Sequence, residues 1–207
     1  MKNSQLRILG IGNILWADEG FGVRCVEAMN EAYQFSDDVT LMDGGTQGLY
    51  LLPYLEDARR LIVFDAVDYG MKPGEMVIAK DDEVPRFMGV KKMSLHQTGF
   101  QEVIACASLG GKLPESMVLI GVQPEQLEDF GGSLRDSVKA QIPLALNIAL
   151  DLIKSWGISY SPRTTPVASR SLNGNLLDMA SYEAGRPSAE LACRFGDDRF
   201  FAGTAES

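Results

Sequence analysis

The chain has 207 residues, 45% apolar and 23% charged, with a formal charge of −9. That is enough for one domain with a real core, while no stretch approaches the roughly 20 apolar residues that cross a bilayer. The polar N-terminus runs straight into an apolar segment without the parts of a secretion signal, so a cytoplasmic location is expected; Lys91-Lys92, the densest basic spot, is too little to hold nucleic acid or an anionic membrane.

Leu6 to Gly12 reads as a buried strand ending in glycines. Asp18-Glu19-Gly20 then precedes a helix with Phe21, Val23, Val26 and Met29 on one face. Val39 to Met42 is a short second strand, stopped by Asp43-Gly44-Gly45-Thr46. A helix through Leu49, Leu52 and Leu55 follows, with Pro53 near its first turn. Arg60 to Val67 is almost continuously apolar, as expected of a strand covered on both faces. Glu75 to Ala79 is expected to form an edge strand, and Asp81 to Ser94 a mobile loop. Thr98 to Leu109 is a predicted helix capped by Gly110-Gly111. Met117 to Val122 is a further strand, and Ser133 to Trp156 a long helix with Pro143 as a fault or a boundary.

This alternation predicts a single α/β domain over residues 1–156, a doubly wound and mostly parallel sheet flanked by helices. From Gly157 the periodic apolar pattern is lost, so residues 157–207 are expected to be a loosely ordered C-terminal extension. Its aromatics Phe195, Phe200 and Phe201 suit docking on the core or on a partner, and equally a sticky tail. The three cysteines, Cys25, Cys106 and Cys193, are too scattered for a disulfide framework or a thiolate zinc site. Reduced thiols in or near the core are expected.

In an open α/β sheet, ligands collect beyond the C-terminal ends of the strands. Three reactive residues fall there: Glu19 after the first strand, Asp65 near the end of the third, and His96 at a helix start. Asp65 stands inside an apolar run, where a carboxylate is costly to desolvate without a cation or several hydrogen bonds. The alternative is an Asp that caps the following turn. Glu19 equally suits a first-turn acid favoured by the helix dipole, and His96 a helix-cap or surface residue. As the single histidine, His96 must nevertheless serve any histidine chemistry within the chain, which excludes three-histidine zinc and the H-E-x-x-H arrangement. Two carboxylates and one histidine suit a divalent cation shared with a substrate. The Gly10-Ile11-Gly12 loop has Leu15 where a dinucleotide fingerprint needs its third glycine, so no nucleotide cofactor is expected.

Taken together, Gly10-Ile11-Gly12-Asn13, Asp18-Glu19-Gly20-Phe21-Gly22, Asp43-Gly44-Gly45-Thr46, Asp65-Ala66-Val67-Asp68 and Ser94-Leu95-His96 resemble the motifs of the hydrogenase maturation endopeptidases, in the same order over residues 6 to 156. The resemblance points most closely to enzymes serving uptake or membrane-bound hydrogenases. It implies an endopeptidase that removes the C-terminal peptide from the [NiFe]-hydrogenase large-subunit precursor after nickel insertion. It also implies Glu19, Asp65 and His96 as catalytic, metal-contacting residues and Asp43, Gly44, Gly45 and Thr46 as the substrate-recognition loop. The nickel would be substrate-borne, and the enzyme a monomer in transient complex with its precursor. Two rival readings are a nickel-dependent chaperone that inspects the precursor without cleavage, and a small α/β enzyme binding a nucleotide at its first glycine loop.

Overall fold

The computed structural model describes residues 4–88, 95–164 and 179–185, with the side chains of residues 4, 86–88 and 95–98 outside the description. In chain order the elements are β1 (Ser4–Ile11), a 3-10 turn (Ala17–Gly20), α1 (Phe21–Ala32), β2 (Tyr33–Phe35) and β3 (Val39–Gly45). A second 3-10 turn (Gly48–Leu51) leads into α2 (Leu52–Glu56), followed by β4 (Ala58–Ala66), β5 (Met76–Lys80), α3 (Glu83–Met88) and α4 (Leu95–Leu109). The chain continues with β6 (Ser116–Val122), α5 (Asp136–Lys139), α6 (Ile142–Ser155), β7 (Tyr160–Pro162) and α7 (Met179–Ala184).

The main sheet has the order β3-β1-β4-β6-β5, parallel except for β5, which pairs antiparallel with β6 at the edge. The strands β1 and β4 read as continuous apolar runs because both their faces are closed. Ile8, Ile62 and Phe64 join α1 and α6 in one core. Leu9, Leu61 and Val63 join α2 and α4 in the other. The two cores make the two helical layers of a doubly wound domain.

Glycines set how closely α1 docks. A Cβ on Gly22 would lie 2.1 Å from Phe64 O and 2.4 Å from Ile11 O, and one on Gly10 would lie 2.3 Å from Gly22 O. The start of α1 therefore rests flush on the backbones of β1 and β4. The close helix–strand packing that a dinucleotide fingerprint assigns to its third glycine is provided here by Gly22.

Several elements depart from the sequence expectation. The strand expected to stop at Met42 runs on through Asp43 to Gly45, with a bulge where Ile11 pairs Gly45 rather than Gly44. Part of the expected loop from Asp81 to Ser94 is helix α3. Pro85 is tolerated because it stands in the first turn, where backbone N–H groups have no intrahelical partner, and Val84 is fully buried; residues 89–94 lie outside the described residues. The helix expected from Thr98 begins at Leu95. It ends as predicted, with Gly111 at φ +64° and Lys112 N–H donating to Ala107 O at 2.9 Å. The long helix expected from Ser133 is two pieces, because Pro143 occupies the first turn of α6 and so marks a boundary.

Past Trp156, β7 pairs antiparallel with β2, Tyr160 facing Phe35, and α7 packs Met179 against the first core. Phe195, Phe200, Phe201 and Cys193 lie outside the described residues. Cys25 is buried, whereas Cys106 is exposed on α4, since Val103, Ile104 and Ala107 take the inward positions around it. Among the described residues no helix is long and apolar enough to cross a membrane.

The glycine crossing yields a first prediction. Gly22→Ala must push α1 off β4, and should cost about 2–3 kcal/mol in urea unfolding; an unchanged midpoint would show that the crossing relaxes freely.

Candidate functional site

The strand order reverses at β1, with β3 on one side and β4 on the other. The crevice at the C-terminal ends of β1 and β4 is thus the place where a ligand is expected. Two of the three predicted residues converge there. Glu19 stands in the 3-10 turn between β1 and α1. Gly12, at φ +125°, passes so close beneath this turn that a Cβ would fall 1.8 Å from Glu19 O. Asp65 is the penultimate residue of β4 and is 3% exposed. Strand alternation puts it on the same face as Leu61 and Val63, the face covered by α4.

The two carboxyl groups are electrostatically unlike ordinary surface acids. Burial pushes Glu19 from 4.5 up to about 7. Burial also raises Asp65 well above the carboxylate range; the Ala66 N–H bonded to it works in the opposite direction, and the Glu19 charge raises it further. Asp65 Oδ2 is buried and meets no hydrogen-bond donor among the described residues. Burial together with the Asp65 charge raises the Tyr69 phenol. Glu19, Asp65 and Tyr69 thus share one electrostatic neighbourhood, in which a proton or a cation relieves the repulsion.

His96 is the second residue of α4, and its side chain lies outside the described residues. The first turns of α4 are nevertheless anchored: a Cβ on Gly99 would come 3.2 Å from Gly48 Cα, so helix and turn meet backbone to backbone. This sets the start of α4 beside the loop that follows β3. At the end of β3 itself, Asp43 lies opposite Gly10, Gly44 is buried, and Gly45, at φ +43°, accepts the Gly12 N–H at 3.0 Å. Thr46 follows the strand and is exposed. The Asp43–Thr46 segment is therefore a bulged strand end beside the end of β1, with Thr46 exposed beyond it.

Three contributors had no individual reading from sequence. Tyr69 is one. Asp18 is another, fully buried and gripped by three backbone N–H groups: Glu125 at 2.9 Å, Gln126 at 2.8 Å and Arg135 at 2.7 Å. Gln123 is the third. Its Oε1 accepts Tyr69 N–H at 2.7 Å and Met71 N–H at 3.2 Å, while Nε2 donates to Asp68 Oδ1 at 2.9 Å and Pro124 O at 3.2 Å, folding the loop after Asp65. An Asp before a helix is too common a cap to stand out. An isolated Gln after a strand gives no signal at all.

With this geometry in view, the comparisons with known proteins agree. A family model described as hydrogenase maturation protease matches residues 23–152. The hydrogenase expression/formation protein HoxM of Azotobacter vinelandii is 58% identical over 200 residues, covering 97% of this chain and 96% of that protein. HupD of Rhodobacter capsulatus, another hydrogenase expression/formation protein, is 56% identical over 205 residues, covering 99% and 97%. Among solved structures, the hydrogenase maturating endopeptidase HybD from Escherichia coli superposes with a TM-score of 0.73 at 38% identity, covering 77% of this chain and 98% of that one. The chain belongs to the hydrogenase maturation protease family, and it is a peptidase of that family.

The raised carboxyl groups make a second prediction. A folded Glu19 at about 7 against 4.5 unfolded binds more protons than the unfolded chain between those values, so its contribution to stability falls as pH rises through that window. Asp65 is shifted in the same direction. Relative to Glu19→Gln, the wild-type protein free of metal should lose melting temperature from about pH 4.5 to about pH 7. Parallel melting curves for the two proteins across that range would contradict the upward shift that partial burial gives Glu19.

Proposed function

We propose that this protein is the endopeptidase that removes the C-terminal peptide from a [NiFe]-hydrogenase large-subunit precursor, and that nickel carried by the precursor is what it recognises. The observation that carries the reading is Asp65 Oδ2, buried and without a donor among the described residues, beside a Glu19 that burial also disfavours as an anion. A carboxylate pair kept in this condition is suited to receive a cation when one arrives.

Glu19 and Asp65 supply oxygen ligands and His96 a nitrogen ligand, a set that suits a borderline divalent ion already partly coordinated by its own carrier. The nickel serves as a Lewis acid toward the scissile carbonyl or a water. Before the cation arrives, Glu19, raised to about 7 by burial, is able to hold a proton that binding of the metal would release. The Asp43-Gly44-Gly45-Thr46 segment would meet the incoming peptide at Thr46, its exposed residue. No nucleotide belongs to this reading: Gly10 is used up in the backbone crossing with Gly22. The protein acts as a monomer that releases its substrate after cleavage.

The test compares nickel-loaded and nickel-free precursor by mass spectrometry. Only the loaded form should be shortened, and Glu19→Ala, Asp65→Ala and His96→Ala should each slow processing by about tenfold to a hundredfold or more. Equal cleavage of nickel-free precursor, or full activity in His96→Ala, would refute the proposal.

A further inference from the structure

The Glu19 turn is held from behind. Besides the three N–H groups that grip its carboxylate, Asp18 donates its own N–H to Gln126 O at 3.1 Å. Leu15 O accepts the Gly131 N–H at 2.7 Å, Trp16 bridges to Phe130 and Gly132, and the Trp16 and Phe130 rings meet edge to face at 5.3 Å. The arm from Leu15 to Asp18 thus lies along residues 125–135, and Glu19 follows it directly. Between Trp16 and Asp18 stands Ala17, a buried non-glycine residue at φ +39°, in the left-handed region that costs a β-carbon about 1 kcal/mol or more. Strain of that kind persists where surrounding bonds impose it, and the imposing bonds here are those of Asp18.

The grip has an outer layer. Glu183 of α7 accepts Ser133 Oγ at 2.7 Å and takes both carboxylate oxygens to Lys139 Nζ at 2.8 Å. The neighbouring Tyr182 ring lies 5.6 Å from the Arg24 guanidinium of α1. Ser133 is itself buried, two residues from the Arg135 N–H that holds Asp18. α7 lies beyond residue 152, where the family match ends, but within the length shared with the HoxM and HupD relatives.

We propose that Asp18 and Glu183 are positioning residues of one clamp, closed through residues 125–135, that fixes the Glu19 turn against Asp65. The proposal rests on the reading of Glu19 as a ligand of the precursor's metal. Neither residue touches the metal or the peptide. Asp18 acts on Glu19 directly through the turn, and Glu183 acts on the segment Asp18 grips.

A tryptophan reports on the arm independently of catalysis. In a Trp156→Phe background Trp16 is the remaining tryptophan, and acrylamide quenching of its fluorescence measures how firmly the arm is held. Asp18→Asn should raise quenching about twofold or more and lower kcat for nickel-loaded precursor about tenfold or more, with KM nearly unchanged. Glu183→Ala should act in the same direction but more weakly. The double variant should resemble Asp18→Asn alone, as expected for two residues acting through one contact.

Should Asp18→Asn not fold, Arg135→Pro removes just one of the gripping N–H groups at a position whose φ of −68° already suits proline. Arg135→Ala, which keeps that N–H, controls for the lost side chain. Arg135→Pro should then behave as described for Asp18→Asn, and Arg135→Ala should not. Unchanged Trp16 quenching in a folded Asp18→Asn or Arg135→Pro protein overturns the clamp, and so do additive effects in the double variant. If Trp16 responds as stated while Glu19→Gln processes precursor at the wild-type rate, the clamp stands and the ligand reading of Glu19 is what fails.

Discussion

Water is kept from Asp65 by the two strands that flank β4 and by the helical layers on both faces of the sheet. A carboxylate placed there is disfavoured as an anion, and among the described residues it finds little relief: a backbone N–H from Ala66 against burial and a neighbouring acid. The surrounding architecture follows from having to hold such a group in place. The sheet must be rigid at that point, which the paired registers Asp65↔Gly121 and Phe64↔Gly10 provide. The opposing Glu19 must be brought close, which needs glycines where α1 crosses β1 and β4. The loops must be tied down, and Gln123 and Asp18 do this by accepting backbone N–H groups.

Asp18 and Asp65 show how two buried aspartates in one domain differ in chemistry. Asp18 accepts three short hydrogen bonds from backbone N–H groups, so both of its buried oxygens are partnered. Asp65 has an oxygen without a donor among the described residues. Among the described residues the oxygens of the first are satisfied as the protein stands and those of the second are not both satisfied, a difference that the proposed binding of a cation at Asp65 would use.

The sequence announces some of this and conceals the rest, for physical reasons. Central strands announce themselves because burial on both faces leaves an unbroken apolar run, as at Arg60 to Val67, and an acid interrupting that run is conspicuous. The Gly110-Gly111 cap was legible because only a left-handed turn ends a helix in that way. By contrast, β2 and β7 are three residues each and carry no periodicity. Helix α3 was hidden by Pro85, which is a breaker in the middle of a helix but not in its first turn. Asp18 was legible as a helix-start residue and not as a clamp, because the amides it grips lie more than a hundred residues along the chain. His96 was singled out by being the sole histidine, a matter of counting that says nothing of its orientation.

The ribbon formed by β2 and β7 bears on the order in which the protein is made. β2 leaves the ribosome among the first elements, yet its only strand partner in the described structure is β7, which follows α6. Every strand of the main sheet is synthesised before that partner appears. Among the described residues the ribbon is therefore the last strand pairing that vectorial synthesis can complete, and Phe35 must wait for Tyr160. α7 and the Glu183 contacts come later still. The outer layer of the site's support is thus added only to a domain whose sheet is already available to fold, and a nascent chain cut short before it would carry Glu19 and Asp65 without that outer support.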